Sequence, residues 1–237
     1  MLFGGADQNG NKFNDTWIWD GVTWTQQFPS VSPPPRSLTS DEMVYDPVTG
    51  TVLLFGGMGT TINYNGGIPF DDTWEWNGRT RTWTQLFPAT SPPARVQVPL
   101  AYDPVTGNVV LFGGDHGGDC FRTFFDDTWT WNGITWTQQF PASSPSGRTA
   151  HLMTYDPSLF QVVMFGGTAG PPSALGDTWA WNGTTWTQLS LPTSPSGRWN
   201  YGLAYDPLID GLLLFGGELG GDPLTNQTWF LVPVPLP

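Results

Sequence analysis

The chain has 237 residues, enough for one all-β domain with a large core, and a formal net charge of −12 with Lys12 as its single lysine. So few cations argue against a nucleic-acid-binding protein, whose phosphate contacts need Lys and Arg, and against binding to anionic membrane surfaces. No apolar run reaches membrane-spanning length, so we expect no membrane insertion.

The cysteine count and the first residues bear on the compartment. Cys120 is the only cysteine, so no intrachain disulfide can form. Met1 is followed at once by repeat sequence, Leu2 to Gly5, rather than by a signal peptide. The low Lys and high Trp, Thr and Asn content nevertheless favours an exported protein, extracellular or periplasmic, and leaves the localisation open.

Apolar residues followed by Phe-Gly-Gly occur five times along the chain. The apolar run before each Phe, such as Val109 to Leu111, predicts a buried strand. The Gly pair predicts a backbone with positive φ where a neighbouring segment packs closely. The Phe residues of the five copies are Phe3, Phe55, Phe112, Phe165 and Phe215.

A second recurring motif, Asp-Thr-Trp, begins a predicted β-hairpin. In its clearest copy, Asp127 to Gln138, Trp129 and Trp131 alternate with a polar residue, and an Asn-Gly turn leads to a returning strand. Related copies begin at Asp15, Asp72 and Asp177, and a degraded one at Asn226. The four Asp positions are separated by 57, 55 and 50 residues, a period that indicates a repeat architecture.

Proline-rich connections then lead to an arginine and a further strand that ends at Tyr-Asp-Pro. The Asp-Pro residues, as in Asp103 to Gly107, predict a tight turn. Three of the Arg-to-Tyr gaps are seven residues long, and the first is nine, which predicts a bulge near Asp41. The arginines are Arg36, Arg95, Arg148 and Arg198.

Each unit is therefore predicted to be four short antiparallel strands, the composition of a propeller blade. The Gly-Gly pairs and the aromatic spacing of Trp129 and Trp136 resemble the kelch family, over essentially the whole chain. The resemblance implies an all-β, kelch-type β-propeller with innermost strand A, then B, C and outer strand D. We expect one domain, residues 1–237, with units of roughly 1–35, 36–94, 95–147, 148–197 and 198–237.

The first unit lacks strand A and the last lacks strand D, which predicts 3 + 12 + 3 = 18 strands in five blades. The alternatives are a fragment of a six- or seven-bladed ring, or a four-bladed ring in which the strand near Tyr205 completes the N-terminal blade. An unclosed ring would expose strand edges, so self-association through open blade edges is expected.

Strand polarity places the Gly-Gly loops and the arginine connections at one end of the blades, the mouth of the channel. These loops vary, so we place any ligand site there. The ring of Arg36, Arg95, Arg148 and Arg198 is one candidate, as a clamp for anions or carboxylates. The alternative is that each arginine pairs with a repeat aspartate (Asp15, Asp72, Asp127 or Asp177) and fixes the blade register.

The loop after Leu111 is the most distinctive, since Asp115, His116, Asp119 and Cys120 could hold a metal. A solvated loop without metal is the favoured interpretation, with Asp115 and His116 as ligand-binding candidates. His151 is interpreted as a packed or water-linked histidine of the inner strand.

Most tryptophans recur at fixed blade positions, which indicates core packing between blades. Trp199 has no Trp counterpart in other units, and Tyr64 lies in a unique loop. These two are the expected exposed aromatic contacts of a ligand.

These residues form no acid/base pair or triad, so we expect a non-catalytic binding scaffold for a protein, peptide or glycan at the mouth. Many kelch propellers are recognition modules, which favours the same interpretation. Some kelch-like propellers are copper oxidases of sugars, whose site takes two histidines and two tyrosines, one cross-linked to a cysteine. This chain has exactly two histidines, one of them in a flexible loop, so we expect neither this chemistry nor a cofactor. The alternatives are a metal-free sugar isomerase or lyase using Arg and His at the channel, or a structural fragment of a larger surface protein.

Overall fold

The computed structural model describes residues 1–37, 42–60, 67–117, 123–170, 172–220 and 224–231. Within these ranges every regular element is a β-strand, and there is no helix long and apolar enough to cross a membrane. The predicted bulge near Asp41 lies outside the described residues.

The described residues form 22 strands. In chain order the first eleven are β1 (Leu2–Ala6), β2 (Lys12–Trp19), β3 (Trp24–Gln27), β4 (Arg36–Ser37), β5 (Met43–Asp46), β6 (Thr51–Phe55), β7 (Met58–Gly59), β8 (Thr73–Asn77), β9 (Thr82–Leu86), β10 (Leu100–Asp103) and β11 (Asn108–Phe112). The other eleven are β12 (Thr128–Trp131), β13 (Trp136–Gln139), β14 (Leu152–Asp156), β15 (Gln161–Phe165), β16 (Thr178–Trp181), β17 (Trp186–Leu189), β18 (Arg198–Trp199), β19 (Gly202–Asp206), β20 (Gly211–Phe215), β21 (Glu218–Leu219) and β22 (Thr228–Leu231).

Five antiparallel sheets form the blades of a β-propeller. Blade 1 is β1-β2-β3, blade 2 is β5-β6-β8-β9, blade 3 is β10-β11-β12-β13, blade 4 is β14-β15-β16-β17 and blade 5 is β19-β20-β22. This confirms the predicted fold class, the five units and the 18 blade strands. The four-bladed alternative is wrong, because the Tyr205 strand pairs with β20 of blade 5 and not with blade 1.

The hairpins have the strand registers that the Asn-Gly turn motifs predict. Trp131 pairs with Trp136 across the turn of blade 3, and both indoles lie on one face of the sheet. In blade 2 two extra turn residues move the corresponding pair to Trp76 and Trp83. Arg81 then takes a φ of 57°, which lets the longer turn close.

Four buried cores hold consecutive blades together, one at each blade interface. In three of them a strand D tryptophan packs edge-on against the Phe-Gly-Gly phenylalanine of the preceding blade. These pairs are Phe3 with Trp83, Phe55 with Trp136, and Phe112 with Trp186, at centroid distances of 4.9, 5.2 and 5.3 Å. The repeated tryptophans therefore serve as core, as the sequence predicted.

The innermost strands β5, β10, β14 and β19 lie side by side and line the centre of the arrangement. In each of the three complete blades the Asp-Pro turn and the Asn-Gly hairpin lie at one end of the strands, because both connect neighbouring antiparallel strands in the same sense. The Gly-Gly loops and arginine connections lie at the opposite end. We call that end the mouth.

Candidate functional site

Each of the three complete blades contains a buried arginine clamp, best illustrated by Arg95. Its guanidinium donates to the Asp127 carboxylate twice, Nη1 to Oδ1 at 2.6 Å and Nη2 to Oδ2 at 2.9 Å. Nη1 also donates to the Gly113 carbonyl, and Nε to the Pro93 carbonyl. Arg36 with Asp72 and Arg148 with Asp177 repeat this bidentate geometry in their own blades.

The aspartate of each clamp accepts a third hydrogen bond, from an indole. Trp129 Nε1 donates to Asp127 Oδ2 at 2.7 Å, and Trp179 donates to Asp177 in the same way. Burial alone would raise the pKa of Asp127, but the hydrogen bonds and charge of Arg95 lower it below its usual range. The same balance lowers the pKa of Asp177 beside Arg148.

The backbone of the clamp arginine reaches the preceding blade. The Arg148 carbonyl accepts a hydrogen bond of 2.9 Å from the Gly114 amide of blade 3. A Cβ at Gly113, whose φ is +68°, would lie 2.6 Å from the same carbonyl oxygen. Glycine is therefore required there both for its backbone conformation and for the close approach.

The predicted ring of arginines is thus buried rather than directed into an open mouth. All four side chains are inaccessible to solvent, and in three of them the guanidinium is bound to a carboxylate. The two hypotheses were an anion clamp and pairing with the repeat aspartates. This geometry matches the second, and each pair lies within a single blade. Anion binding by Arg36, Arg95 or Arg148 would require those bonds to break. Asp15, the fourth suggested partner, accepts the Trp17 indole N–H instead.

Arg198 in blade 5 differs from the other three. Gln227 occupies the aspartate position, and its Oε1 accepts from Arg198 Nη2 at 3.1 Å. Nη1 donates to the Gly216 carbonyl at 2.9 Å. Within the described ranges no carboxylate forms an ion pair with Arg198, and burial lowers its pKa.

At the mouth, a second layer of pairing lies above the blades. In each of blades 2 to 5 the residue after the recurring arginine (Arg36, Arg95, Arg148 or Arg198) pairs with the residue after Gly-Gly. These four mouth ladders pair Ser37 with Met58, Val96 with Asp115, Thr149 with Thr168, and Trp199 with Glu218. Their backbone pairing is alike, whereas their side chains differ from blade to blade.

A polar network joins two neighbouring mouth ladders. Thr149 Oγ1 donates to Asp115 Oδ2 at 3.0 Å and lies 3.1 Å from Gln97 Oε1, an acceptor that competes for the same hydroxyl proton. The backbone N–H of Gln97 in turn donates to Glu42 Oε1 at 3.1 Å. Asp115, Thr149 and Glu42 are buried. Two carboxylates therefore lie in one network beneath the mouth.

The metal-binding candidates are only partly within the described residues. His116 is exposed at the mouth, directly after the buried Asp115. Asp119 and Cys120 lie outside the described residues, and among those described no group of three metal-binding side chains comes together. Asp115 Oδ1 accepts the Gly117 amide at 2.7 Å, which fixes the carboxylate at the start of the loop.

His151 lies below the mouth, packed edge-on against the Phe112 ring at 5.8 Å. It is fully buried, as the interpretation of a packed histidine predicted. Burial lowers its pKa well below the ordinary value, and the nearby positive charge of Arg148 lowers it further. His151 is therefore less readily protonated in the folded protein than in the unfolded chain.

Two aromatic residues, Trp199 and Tyr64, were expected to be exposed for contact with a ligand, and the structure describes only the first. Trp199 was expected to be exposed, and that expectation is wrong: it is 8% exposed and donates its indole N–H to Glu218 Oε2 at 3.0 Å. The pairing of β18 with β21 brings these two residues together across a mouth ladder. Tyr64 lies outside the described residues.

Sequence reasoning missed four residues of the mouth: Glu42, Gln97, Thr149 and Glu218. Gln97 takes a φ of 53°, as do its counterparts Ala150 (53°) and Asn200 (54°). These three residues lie two positions after Arg95, Arg148 and Arg198, so an alignment of the repeats places them at equivalent positions. Their side chains differ between units, however, and nothing in the sequence indicates a shared backbone conformation.

Comparison with known proteins supports the fold. No family model matches the chain. The solved structure described as "Structure of YjhT" superposes with a TM-score of 0.70 and 15% sequence identity, over 96% of this chain and 76% of that chain. At this identity the likeness shows the β-propeller fold alone, and the kelch resemblance remains a resemblance.

Proposed function

We propose that the protein is a non-catalytic recognition scaffold that binds a protein, peptide or glycan at the mouth. The observation that carries this proposal is the contrast between the two layers. The arginine clamps repeat almost unchanged, whereas the mouth ladders of blades 2 to 5 keep one backbone arrangement and lead into loops that differ in length and sequence, with His116 exposed in one of them. Variable loops on a rigid frame are the usual arrangement of a binding surface.

The charge of the mouth limits the ligand. Asp115 and Glu42 lie in its buried network, and Glu218 lies in the ladder of blade 5. The two buried carboxylates do not contact a ligand directly, but negative charge near the mouth attracts cationic groups and repels anionic ones. A glycan or a basic peptide therefore fits this surface better than an anionic ligand.

The sugar-directed isomerase or lyase is the alternative function. It would use an arginine and a histidine at the channel as electrophile and base. Arg148 and His151 are both buried, and the Arg148 guanidinium is bound to Asp177. The ion pair favours a structural role for Arg148, and burial keeps the His151 ring away from a ligand at the mouth, so both observations favour the scaffold over the enzyme.

The proposal is tested by applying the labelled protein to an array of defined glycans and to a library of basic peptides. We expect selective binding that weakens at least tenfold on His116→Ala, since His116 is exposed at the mouth. Val105→Ala, an exposed position on the Asp-Pro turns at the opposite end, is the matched control and should leave binding unchanged. Equal losses in both variants, or no selective binding, would refute the proposal.

The enzyme alternative is tested on whichever glycan binds. The protein is incubated with that glycan at millimolar concentration, and new anomeric or unsaturated-sugar signals are followed by proton NMR. The scaffold predicts an unchanged spectrum. New signals that disappear in His151→Val would support the isomerase or lyase instead.

A further inference from the structure

Blade 1 and blade 5 each present an apolar face that no blade of the described chain covers. The Trp face of blade 1 consists of Leu2, Trp17, Trp19 and Trp24. The Phe face of blade 5 consists of Leu213, Phe215, Thr228 and Phe230. Trp24 is 46% exposed and Phe215 is 55% exposed.

The counterparts of these residues are buried at the interfaces between neighbouring blades. Trp83, Trp136 and Trp186, which match Trp24, are 3%, 0% and 1% exposed. Phe55, Phe112 and Phe165, which match Phe215, are 0% exposed. The two end faces are therefore the two halves of one repeated interface.

The repeated interface has a defined polar contact as well as an apolar one. Trp136 Nε1 donates to Thr73 Oγ1 of the preceding blade at 3.0 Å, and Trp83 to Thr16 and Trp186 to Thr128 at 2.9 Å. On the Phe face, the matching hydroxyl is that of Thr228, which is exposed. On the Trp face, the matching donor is the indole of Trp24.

The Trp face already has the arrangement that the interface requires. Trp24 lies 5.5 Å from Trp19, as Trp83 does from Trp76, and Trp136 lies 5.4 Å from Trp131. Little side-chain ordering is needed for this face to receive a phenylalanine. Closing the two faces within one chain would instead require the four buried cores between the blades to shift.

We infer that the Trp face of one molecule binds the Phe face of a second copy, head to tail. Trp24 of one copy then packs edge-on against Phe215 of the other and donates its indole N–H to Thr228. The interface is heterologous, so each molecule in a dimer keeps one free face and assembly can continue. The contact joins blade faces and is distinct from pairing of strand edges.

The test is the mass in solution, measured by sedimentation velocity between about 1 and 300 μM, a range that spans micromolar dissociation constants. The wild type is expected to grow with concentration to dimers and larger assemblies. Trp24→Asp and Phe215→Asp should each stay at the mass of one chain of 26.0 kDa. Both positions are half exposed in the monomer, so these variants should fold, which circular dichroism checks.

An equimolar mixture of the two variants gives the decisive result. Each variant retains the face that the other has lost, so the mixture should form a dimer and nothing larger. Phe140→Asp, at a phenylalanine 85% exposed on the outside of blade 3, is the matched control and should associate like the wild type. The proposal is overturned if the wild type stays monomeric, as cis closure would require, if a single variant still associates, or if the mixture does not dimerise.

Discussion

Trp136 of blade 3 donates its indole N–H to the hydroxyl of Thr73 in blade 2, and both groups are fully buried. Thr73→Val leaves the buried indole N–H of Trp136 without an acceptor, although folding has removed it from water. The free energy of unfolding should therefore fall by about 1–3 kcal/mol. Chemical denaturation measures the change.

The control for this substitution is Thr137→Val, on the exposed outer strand of the same hairpin. It should change the free energy of unfolding by less than about 0.5 kcal/mol. Equal effects at the two positions would mean that the hydroxyl of Thr73 contributes nothing beyond strand propensity.

Gln227→Asp should stabilise blade 5. The substitution places a carboxylate opposite Arg198, as Asp72, Asp127 and Asp177 are placed in the complete blades. We expect a gain of about 1 kcal/mol in the free energy of unfolding at neutral pH, the size usual for restoring a consensus residue.

The pH dependence identifies the cause of that gain. The pKa values of Asp127 and Asp177 are lowered by their arginines, so the new carboxylate should behave likewise. A carboxylate with a lowered folded-state pKa stabilises above its unfolded pKa of about 4, and the gain is lost as the pH falls below it. Gln227→Asn is the uncharged control, and an equal gain there would rule out the ion pair.

His151 should make the fold less stable in mild acid. Its pKa is lowered in the folded state, so the unfolded chain binds more protons below its ordinary pKa of about 6.5. Stability is therefore full above pH 6.5 and falls as the pH falls below it. His151→Val, the residue at the matching position 98, should flatten the change in the midpoint of urea unfolding between pH 7 and pH 5.

The matched variant is His116→Ala, which removes the exposed histidine. Its change between pH 7 and pH 5 should parallel that of the wild type. If His116→Ala flattened the change and His151→Val did not, the buried histidine would not be the group that titrates on unfolding.

Gly113→Ala should be among the most damaging single substitutions in blade 3. The added Cβ would meet the Arg148 carbonyl oxygen at 2.6 Å on a backbone of positive φ. We expect a loss of at least about 2 kcal/mol from the combined clash and strain. Gly133→Ala has a positive φ but open space around its Cβ, so it isolates the strain, and thermal melting should show a clearly smaller loss there.

Much of the fold could be predicted because its determinants recur. The register of Trp131 against Trp136 follows from an alternation that the chain repeats four times. The pairing of Arg95 with Asp127 was one of two hypotheses, and both residues recur in step. A side chain that recurs once per blade occupies the same environment in every blade, so its role must be one that every blade requires.

The mouth could not be predicted in the same way. Trp199 occurs once, so no second copy indicated that it pairs with Glu218 and is buried. The mouth ladders are one or two residues long, too short for a period to appear in the sequence. Thr149 and Gln97 meet Asp115 and Glu42 only because loops from different blades converge.

The clamp arginines are bound to carboxylates within their blades, so we assign them to the scaffold and propose recognition at the mouth. A double-mutant cycle of Arg95→Met and Asp127→Asn measures whether the pair stabilises the fold. Each single variant should lose about 3–5 kcal/mol of unfolding free energy, because Arg95→Met leaves the Asp127 carboxylate unpaired and Asp127→Asn leaves the Arg95 guanidinium without a counter-charge. The double variant should lose clearly less than the sum, with a coupling of about 2 kcal/mol or more. A coupling near zero, with Arg95→Met as stable as the wild type, would show that Arg95 does not stabilise the blade and would return it to the candidates for ligand binding.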